Sequence, residues 1–105
     1  MPVMESDGLR LEVDEEGFLL VPEAWTREAA IALAREEGID PLSERHWKVI
    51  DFCREDFRAR GETPGLRRIS KESGVSTKEL YELFPKGPAK KVARVSGLGK
   101  PQGCV

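Results

Sequence analysis

From Thr26 onward, hydrophobic positions recur at the three- and four-residue spacing of amphipathic helices. The first such segment, TREAAIALAREEG, predicts a helix that Thr26 caps and Gly38 ends. A second helix is predicted to begin at Ser43 and to end at Gly61. The apolar positions on one face of this second helix are Trp47, Ile50, Cys53 and Phe57. We therefore expect Cys53 to be a core residue.

Two shorter helices are predicted next, joined by a glycine turn. In ETPGLRRISKESG, Thr63 is the expected cap, Pro64 the first helical residue and Gly74 the end. In VSTKELYELFP, Ser76 and Glu79 have the spacing of a capping box. The pair has the spacing of a helix-turn-helix.

The last predicted helix runs from Pro88 to Gly97, with Val92 and Val95 facing inward. No hydrophobic periodicity continues beyond Gly97. We therefore predict a domain over residues 1–97 and a mobile C-terminal arm over residues 98–105.

The N-terminal segment has a different pattern, because the dipeptide Asp7-Gly8 separates two short runs that contain apolar residues. Asp-Gly is typical of tight hairpin turns, which predicts strands near residues 3–5 and 9–13. The stretch GFLLVP that follows is expected to form a brief strand or a 3-10 turn. The sequence thus predicts a mainly α fold of about five short helices with an N-terminal β-hairpin.

Composition narrows the class of protein. A chain of 105 residues fits one domain. It contains no apolar stretch near the ~18–20 residues of a membrane span, and its start lacks the basic and apolar blocks of a secretion signal. We expect a cytoplasmic protein that does not associate with a membrane and whose two cysteines are free thiols.

Charge is distributed unevenly along the chain. The first 45 residues carry 12 acidic and 4 basic side chains, whereas the last 20 carry five basic and no acidic ones. The five are Lys86, Lys90, Lys91, Arg94 and Lys100. We predict that they dock an acidic partner or lie near RNA; the alternative is an ordinary solvated surface.

Few residues suggest autonomous catalysis. The one histidine, His46, is expected on the surface at the start of the second helix. No Cys/His group has the spacing of a metal site, and no phosphate-binding or nucleophile motif occurs. We therefore predict neither a metal nor a cofactor, and nothing singles out a catalytic pair among the many carboxylates.

A DNA-binding regulator is one alternative, since the helix-turn-helix would place its second helix in a major groove. That helix carries Lys78, but also Glu79 and Glu82, which oppose contact with phosphates.

Cys104 is the residue whose position most clearly favours a chemical role. It lies between Gly103 and Val105 on the cationic arm. Nearby cations favour the thiolate, whereas the neighbouring terminal carboxylate opposes it. Seven residue steps separate it from Gly97, a reach of at most about 23–25 Å. A thiol on a swinging arm fits a carrier; the alternative is an exposed cysteine without a role.

Three segments carry a resemblance to a known family: DEEGFLLVPEAW, GIDPLSERHWKVIDF and ELFPKGPAKKVARVSGLGKPQGCV. They resemble the DsrC/TusE family of small sulfur-trafficking proteins, over about residues 13–105. The resemblance implies an orthogonal helical bundle with an N-terminal hairpin, a helix-turn-helix-like corner and a mobile C-terminal arm. It also implies that Cys104 carries a persulfide.

The sequence departs from DsrC proper, which has a second cysteine where this chain has Ala93. It also lacks the longer insertion that DsrC proper carries before the segment corresponding to YELFP. Both departures place it on the TusE side of the family or among single-cysteine relatives of DsrC. The resemblance then implies a carrier that takes sulfur from a TusBCD-like complex and delivers it to an MnmA-like enzyme for tRNA 2-thiouridine.

The same resemblance leaves a second destination open, an accessory or regulatory subunit of dissimilatory sulfite reductase or of sulfur oxidation. In either case the implied activity is at most that of a sulfurtransferase without an autonomous active site.

Overall fold

The computed structural model describes residues 3–6 and 8–99. Within these ranges a two-stranded antiparallel hairpin precedes a 3-10 turn and five helices. The elements are β1 (Val3–Ser6), β2 (Leu9–Glu12), the 3-10 turn (Pro22–Ala24), α1 (Arg27–Glu36), α2 (Glu44–Arg60), α3 (Leu66–Ser73), α4 (Thr77–Leu83) and α5 (Pro88–Val95). The predicted mainly helical fold is confirmed.

The N-terminal hairpin has the predicted position, with Ser6 paired to Leu9 across the turn. The stretch GFLLVP combines both predicted forms, because Leu19 bridges back to Val13 and a 3-10 turn begins at Pro22.

Side chains cap α1 and α2 as predicted. Thr26 Oγ1 accepts a hydrogen bond from the Ala29 amide at 3.0 Å, and Ser43 caps α2. Gly61 ends α2 in the left-handed conformation, with φ of 77°. These local signals fix where α1 and α2 begin and where α2 ends.

His46 is buried, so the expectation of a surface residue is wrong. Its Nδ1 accepts from the Ser43 amide at 3.0 Å, and its Nε2 donates to the Leu83 carbonyl at 2.9 Å. The ring meets Phe84 edge to face, with the two ring centroids 5.2 Å apart. His46 therefore completes the cap of α2 and joins it to the end of α4.

The predicted start of α3 is also wrong. Thr63 and Pro64 are buried upstream, and the helix begins at Leu66 after Gly65, which provides no side-chain cap. The side chains of Thr63 and Pro64 are buried, and Gly65, whose backbone is extended with ψ of 176°, directly precedes the helix. Gly74 ends the helix as predicted.

The capping box of α4 forms only in part. Ser76 Oγ accepts from the Glu79 amide at 3.1 Å, but the Glu79 carboxylate binds Arg45 of α2 with two hydrogen bonds of 2.7 Å each. With Gly74 between them, α3 and α4 form the predicted helix-turn-helix corner.

A buried carboxylate joins α2 to α3. Asp56, with a side chain only 6% exposed, accepts hydrogen bonds from Arg68 at 2.6 Å and from Arg60 at 2.9 Å. The Arg68 hydrogen bonds, assisted by those of Arg60, hold the pKa of Asp56 below its usual value, although burial acts in the opposite direction.

One core runs through the described chain, and it includes Cys53 as predicted. Its largest fully buried members are Phe84, Leu33, Ile50, Ile69, Leu80 and Leu98. The sequence pattern predicts that Leu98 belongs to the arm, but the structure buries it in the core. None of the described helices has the length and apolar character needed to cross a bilayer.

Candidate site at the root of the C-terminal arm

The predicted carrier residue, Cys104, lies outside the described residues, as does Lys100. The structure does describe the point from which the arm leaves, which we call the arm root and define as residues 95–98. Here α5 ends in a Schellman motif: the Gly97 amide donates to the Arg94 carbonyl, and the Leu98 amide donates to the Ala93 carbonyl. Buried Leu98 supplies the hydrophobic contact that usually accompanies this motif.

Two side chains that are distant in the sequence bind the next two carbonyls, which accept no hydrogen bond within the Schellman motif. Trp25 Nε1 donates to the Val95 carbonyl at 2.9 Å. Arg54 Nη1 donates to the Ser96 carbonyl at 2.8 Å, and its Nη2 donates to the Pro22 carbonyl at 3.2 Å. We call this pair of side chains the Trp25–Arg54 clamp. It joins the arm root to α2 and to the segment before α1.

The clamp is also packed tightly. The guanidinium carbon of Arg54 lies 4.2 Å from the centre of the Trp25 ring. A β-carbon added at Gly97 would come within 2.5 Å of Trp25 Cδ1, and the φ of Gly97 is +73°. Only glycine fits this position, because any side chain would meet both the left-handed backbone and the indole.

Burial sets the electrostatics of Arg54. Loss of solvent lowers the pKa of its guanidinium, repulsion from Arg58 lowers it further, and Glu23 partly opposes both effects. Arginine stays charged in proteins despite such shifts. The clamp therefore keeps a cation at the end of α5, where the helix dipole is negative.

Beneath the arm root lies the second cysteine. Burial raises the pKa of the Cys53 thiol far above its usual value, and the nearby Asp56 charge adds to this effect. The buried Oγ of Ser96 has no hydrogen-bond partner among the described residues. Cys53 is therefore an inert thiol, because the thiolate is the reactive form.

The predicted cationic residues occupy two different environments. Lys86 and Lys90 are exposed, and Lys90 lies 3.3 Å from Glu16 across the surface. Lys91 and Arg94 are each only 17% exposed, and both bind Glu37 at the end of α1. All four border a cleft of about 220 Å³.

Arg94 has a structural role beyond its charge. Its Nε donates to the Gly17 carbonyl at 2.9 Å and its Nη1 donates to Glu37, so it connects α5 to two other segments. Arg94 and Lys91 are thus partly buried in internal ion pairs. Lys86 and Lys90 remain the exposed cations of this group among the described residues.

The helix-turn-helix corner presents different chemistry. Tyr81 is 53% exposed on α4, and Lys78 is exposed on the same helix. Glu79 and Arg45 neutralise each other there. Attraction between this bonded pair also lowers the pKa of Glu79, mainly through the hydrogen bonds from Arg45.

Residues 5–105 match the family model described as "DsrC like protein". The chain belongs to the DsrC family. Two of its relatives carry different names. The gamma subunit of dissimilatory-type sulfite reductase from Nitratidesulfovibrio vulgaris is 44% identical over 98 residues, which span 93% of each protein. Sulfurtransferase TusE from Salmonella paratyphi A is 37% identical over 106 residues, which span 94% of this chain and 96% of TusE.

Solved structures of the DsrC family agree with the fold. The crystal structure of dissimilatory sulfite reductase I matches with a TM-score of 0.87 and 43% identity, over 99% of this chain and 100% of the matched one. The expected resemblance to the DsrC/TusE family is therefore confirmed, and the named relatives belong to sulfur metabolism.

Proposed function

We propose that this protein is a sulfur-relay carrier that holds persulfide sulfur on Cys104 and passes it to a second protein. The observation that supports this most directly is the burial of Cys53, which is fully enclosed and has a raised pKa. In a chain with two cysteines, sulfur chemistry then falls to Cys104.

The transfer is an exchange at sulfur. The Cys104 thiolate attacks the outer sulfur of a donor persulfide, the donor S–S bond breaks, and the donor leaves as a thiolate. A new S–S bond holds that sulfur on Cys104. An acceptor thiolate then attacks the same outer sulfur, and Cys104 leaves as a thiolate. No net oxidant or reductant is consumed.

The proposed destination is tRNA 2-thiouridine, with a TusBCD-like donor complex and an MnmA-like acceptor in the cytoplasm. The chain has alanine at position 93, where the resemblance places the second cysteine of DsrC proper. Ala93 is buried in α5. A protein that has a single cysteine outside its core-forming helices suits a one-sulfur carrier better than a two-cysteine redox cycle.

A second candidate is an accessory subunit of dissimilatory sulfite reductase. The identity to the gamma subunit, 44%, exceeds that to TusE, 37%. This supports binding to the reductase without a disulfide between positions 93 and 104.

Radioactive sulfur distinguishes the two destinations. The protein, loaded with ³⁵S persulfide, is incubated either with an MnmA-type enzyme, ATP and tRNA, or with dissimilatory sulfite reductase. We expect label in the tRNA and none transferred to the reductase. The opposite result would be label that is absent from tRNA but leaves the carrier when the reductase is present. That result would favour the accessory subunit over the tRNA carrier.

The exposed cations Lys86 and Lys90 are proposed to dock the acceptor. Changing both to glutamate should slow transfer to the acceptor roughly tenfold at low salt and less at high salt, since surface charges act mainly on encounter rates. Folding should be preserved, because both side chains are exposed. The rate is measured by quenched-flow transfer of ³⁵S.

Lys78→Glu is the matched control, since Lys78 is an exposed lysine on the helix-turn-helix corner. It should transfer sulfur at the normal rate. Normal transfer by the double variant, with loss of function in the Lys78 variant, would make the corner the working surface. The DNA-binding alternative would then be favoured.

A further inference from the structure

We propose that Trp25 and Arg54 are positioning residues for the carrier thiol: the Trp25–Arg54 clamp fixes the point and direction from which the arm leaves the domain. This inference rests on the proposed function, because it assigns a purpose to the root of the arm that bears Cys104.

Each backbone carbonyl from Val92 to Ser96 accepts a hydrogen bond at the end of α5. The Val92, Ala93 and Arg94 carbonyls accept from the Ser96, Leu98 and Gly97 amides, respectively. These backbone bonds already end the helix in the ordinary way. The Val95 and Ser96 carbonyls follow, and the two clamp side chains bind them.

The origin of the donors is what points to positioning. Trp25 lies 70 residues before its acceptor, and Arg54 lies 42 residues before its own. A helix end on a surface can leave its last carbonyls to water. Here they are held from two separate elements, and Arg54 also bonds the Pro22 carbonyl beside Trp25. These hydrogen bonds thereby hold the last turn of α5 in place relative to the rest of the domain.

The steric fit fixes direction as well as place. Trp25 closes one side of Gly97 so tightly that a single β-carbon would overlap its ring. Leu98, the next residue, is buried in the core. Six residue steps then separate Leu98 from Cys104, a span of at most about 20–22 Å. A fixed origin limits the volume that the thiol can search, and so raises its effective concentration at a docked acceptor.

Four variants test the clamp. Trp25→Phe removes the Nε1–H donor but keeps a ring beside Gly97. Arg54→Met keeps apolar bulk and removes both donors, whereas Arg54→Lys keeps a cation without the fork that reaches two carbonyls. Gly61→Ala is the matched control, because Gly61 also ends a helix with positive φ, yet nothing lies within 4 Å of its added β-carbon.

The direct measurement is a distance distribution. Nitroxide labels are placed on Cys104 and on a cysteine introduced at exposed Glu55 of α2; buried Cys53 stays unlabelled in the folded protein. Electron–electron double resonance should give a broader distribution in Trp25→Phe and Arg54→Met than in the parent. Gly61→Ala should match the parent, and Arg54→Lys should be intermediate.

The functional measurement compares two reactions of the same thiol. Transfer to the MnmA-type acceptor should fall roughly tenfold in Arg54→Met, while the rate with a small disulfide reagent stays unchanged. If Arg54 only stabilised the fold, its loss would not slow transfer to the acceptor while leaving the reaction with the small disulfide unchanged. Unchanged distributions and transfer rates in Trp25→Phe and Arg54→Met overturn the inference. An equal loss of transfer in Gly61→Ala, at equal loss of stability, overturns it as well.

Failure of the clamp and failure of the proposed function give different results. If a Cys104→Ser variant still accepts persulfide sulfur, the proposed function is wrong. If that variant accepts none while both clamp variants behave as the parent does, only the clamp inference is wrong. Trp25→Phe preserves most of the packing, so it keeps the test decisive if Arg54→Met does not fold.

Discussion

The Cys104→Ser variant should take up no sulfur from a persulfide donor, whereas the parent protein should gain one sulfur atom, about 32 Da, on that residue. Serine has no thiolate at neutral pH and cannot form the S–S bond of a persulfide. Cys53 cannot substitute, because it is buried and its pKa is raised. Intact-protein mass spectrometry, followed by peptide mapping, should show complete loss of the added sulfur in the variant.

Cys53→Ala is the control for this prediction. It should load sulfur as the parent does, and it should lower the free energy of unfolding by about 1 kcal/mol through loss of buried volume. In the parent protein, a thiol reagent should modify Cys53 only after denaturation. A mass gain that survives in Cys104→Ser and maps to Cys53 would contradict both the carrier assignment and the described core.

The largest change in stability is expected from Asp56→Ala, at about 3 kcal/mol. Removing one partner of a buried ion pair costs roughly 3–5 kcal/mol. The lower end applies here because the side chains of Arg68 and Arg60 are 39% and 35% exposed and can recover water. Urea unfolding followed by circular dichroism measures the loss.

The same carboxylate makes stability depend on pH. Its folded pKa is lowered mainly by hydrogen bonds from Arg68, so its contribution is fully present above the unfolded pKa, near 3.9. The contribution is lost as pH falls from there through the folded value. As pH falls below about 4, Asp56→Ala should therefore lose less stability than the parent.

Asp40→Asn is the matched control for charge, because Asp40 forms an exposed pair with Arg35 at 3.4 Å. It should change the free energy of unfolding by less than about 0.5 kcal/mol. An Asp56→Ala effect as small as this one, or an unchanged acid transition, would show that the buried network contributes little.

The sequence predicted those parts of the fold that depend on neighbouring residues. Thr26, Ser43 and Gly61 act within a few positions of themselves, so their roles could be read from local pattern. His46 could not be placed in this way, since its burial depends on Leu83 and Phe84, which lie at the end of α4. Thr63 was misassigned because capping preference competed with burial, and burial prevailed.

The same distinction between local and long-range features applies to the candidate site. Cys104 was found from its position in the sequence, and its assignment as the carrier remains a prediction outside the described residues. Trp25 and Arg54 were missed, because hydrogen bonds across 70 and 42 residues leave no periodic signal. The Schellman glycine, Gly97, was the one local sign that α5 ends in a defined way. Asp56 was missed for a related reason, since its partner Arg68 lies in another helix.

The burial of Cys53 has a consequence for the protein under oxidative stress. A carrier whose second thiol is enclosed cannot protect Cys104 by closing a disulfide within one molecule. Oxidation must instead couple two molecules or consume a small cellular thiol. Dimerisation is second order, so its rate falls fourfold when abundance is halved. Low cellular abundance then limits dimerisation, which leaves a small cellular thiol as the partner of an oxidised Cys104.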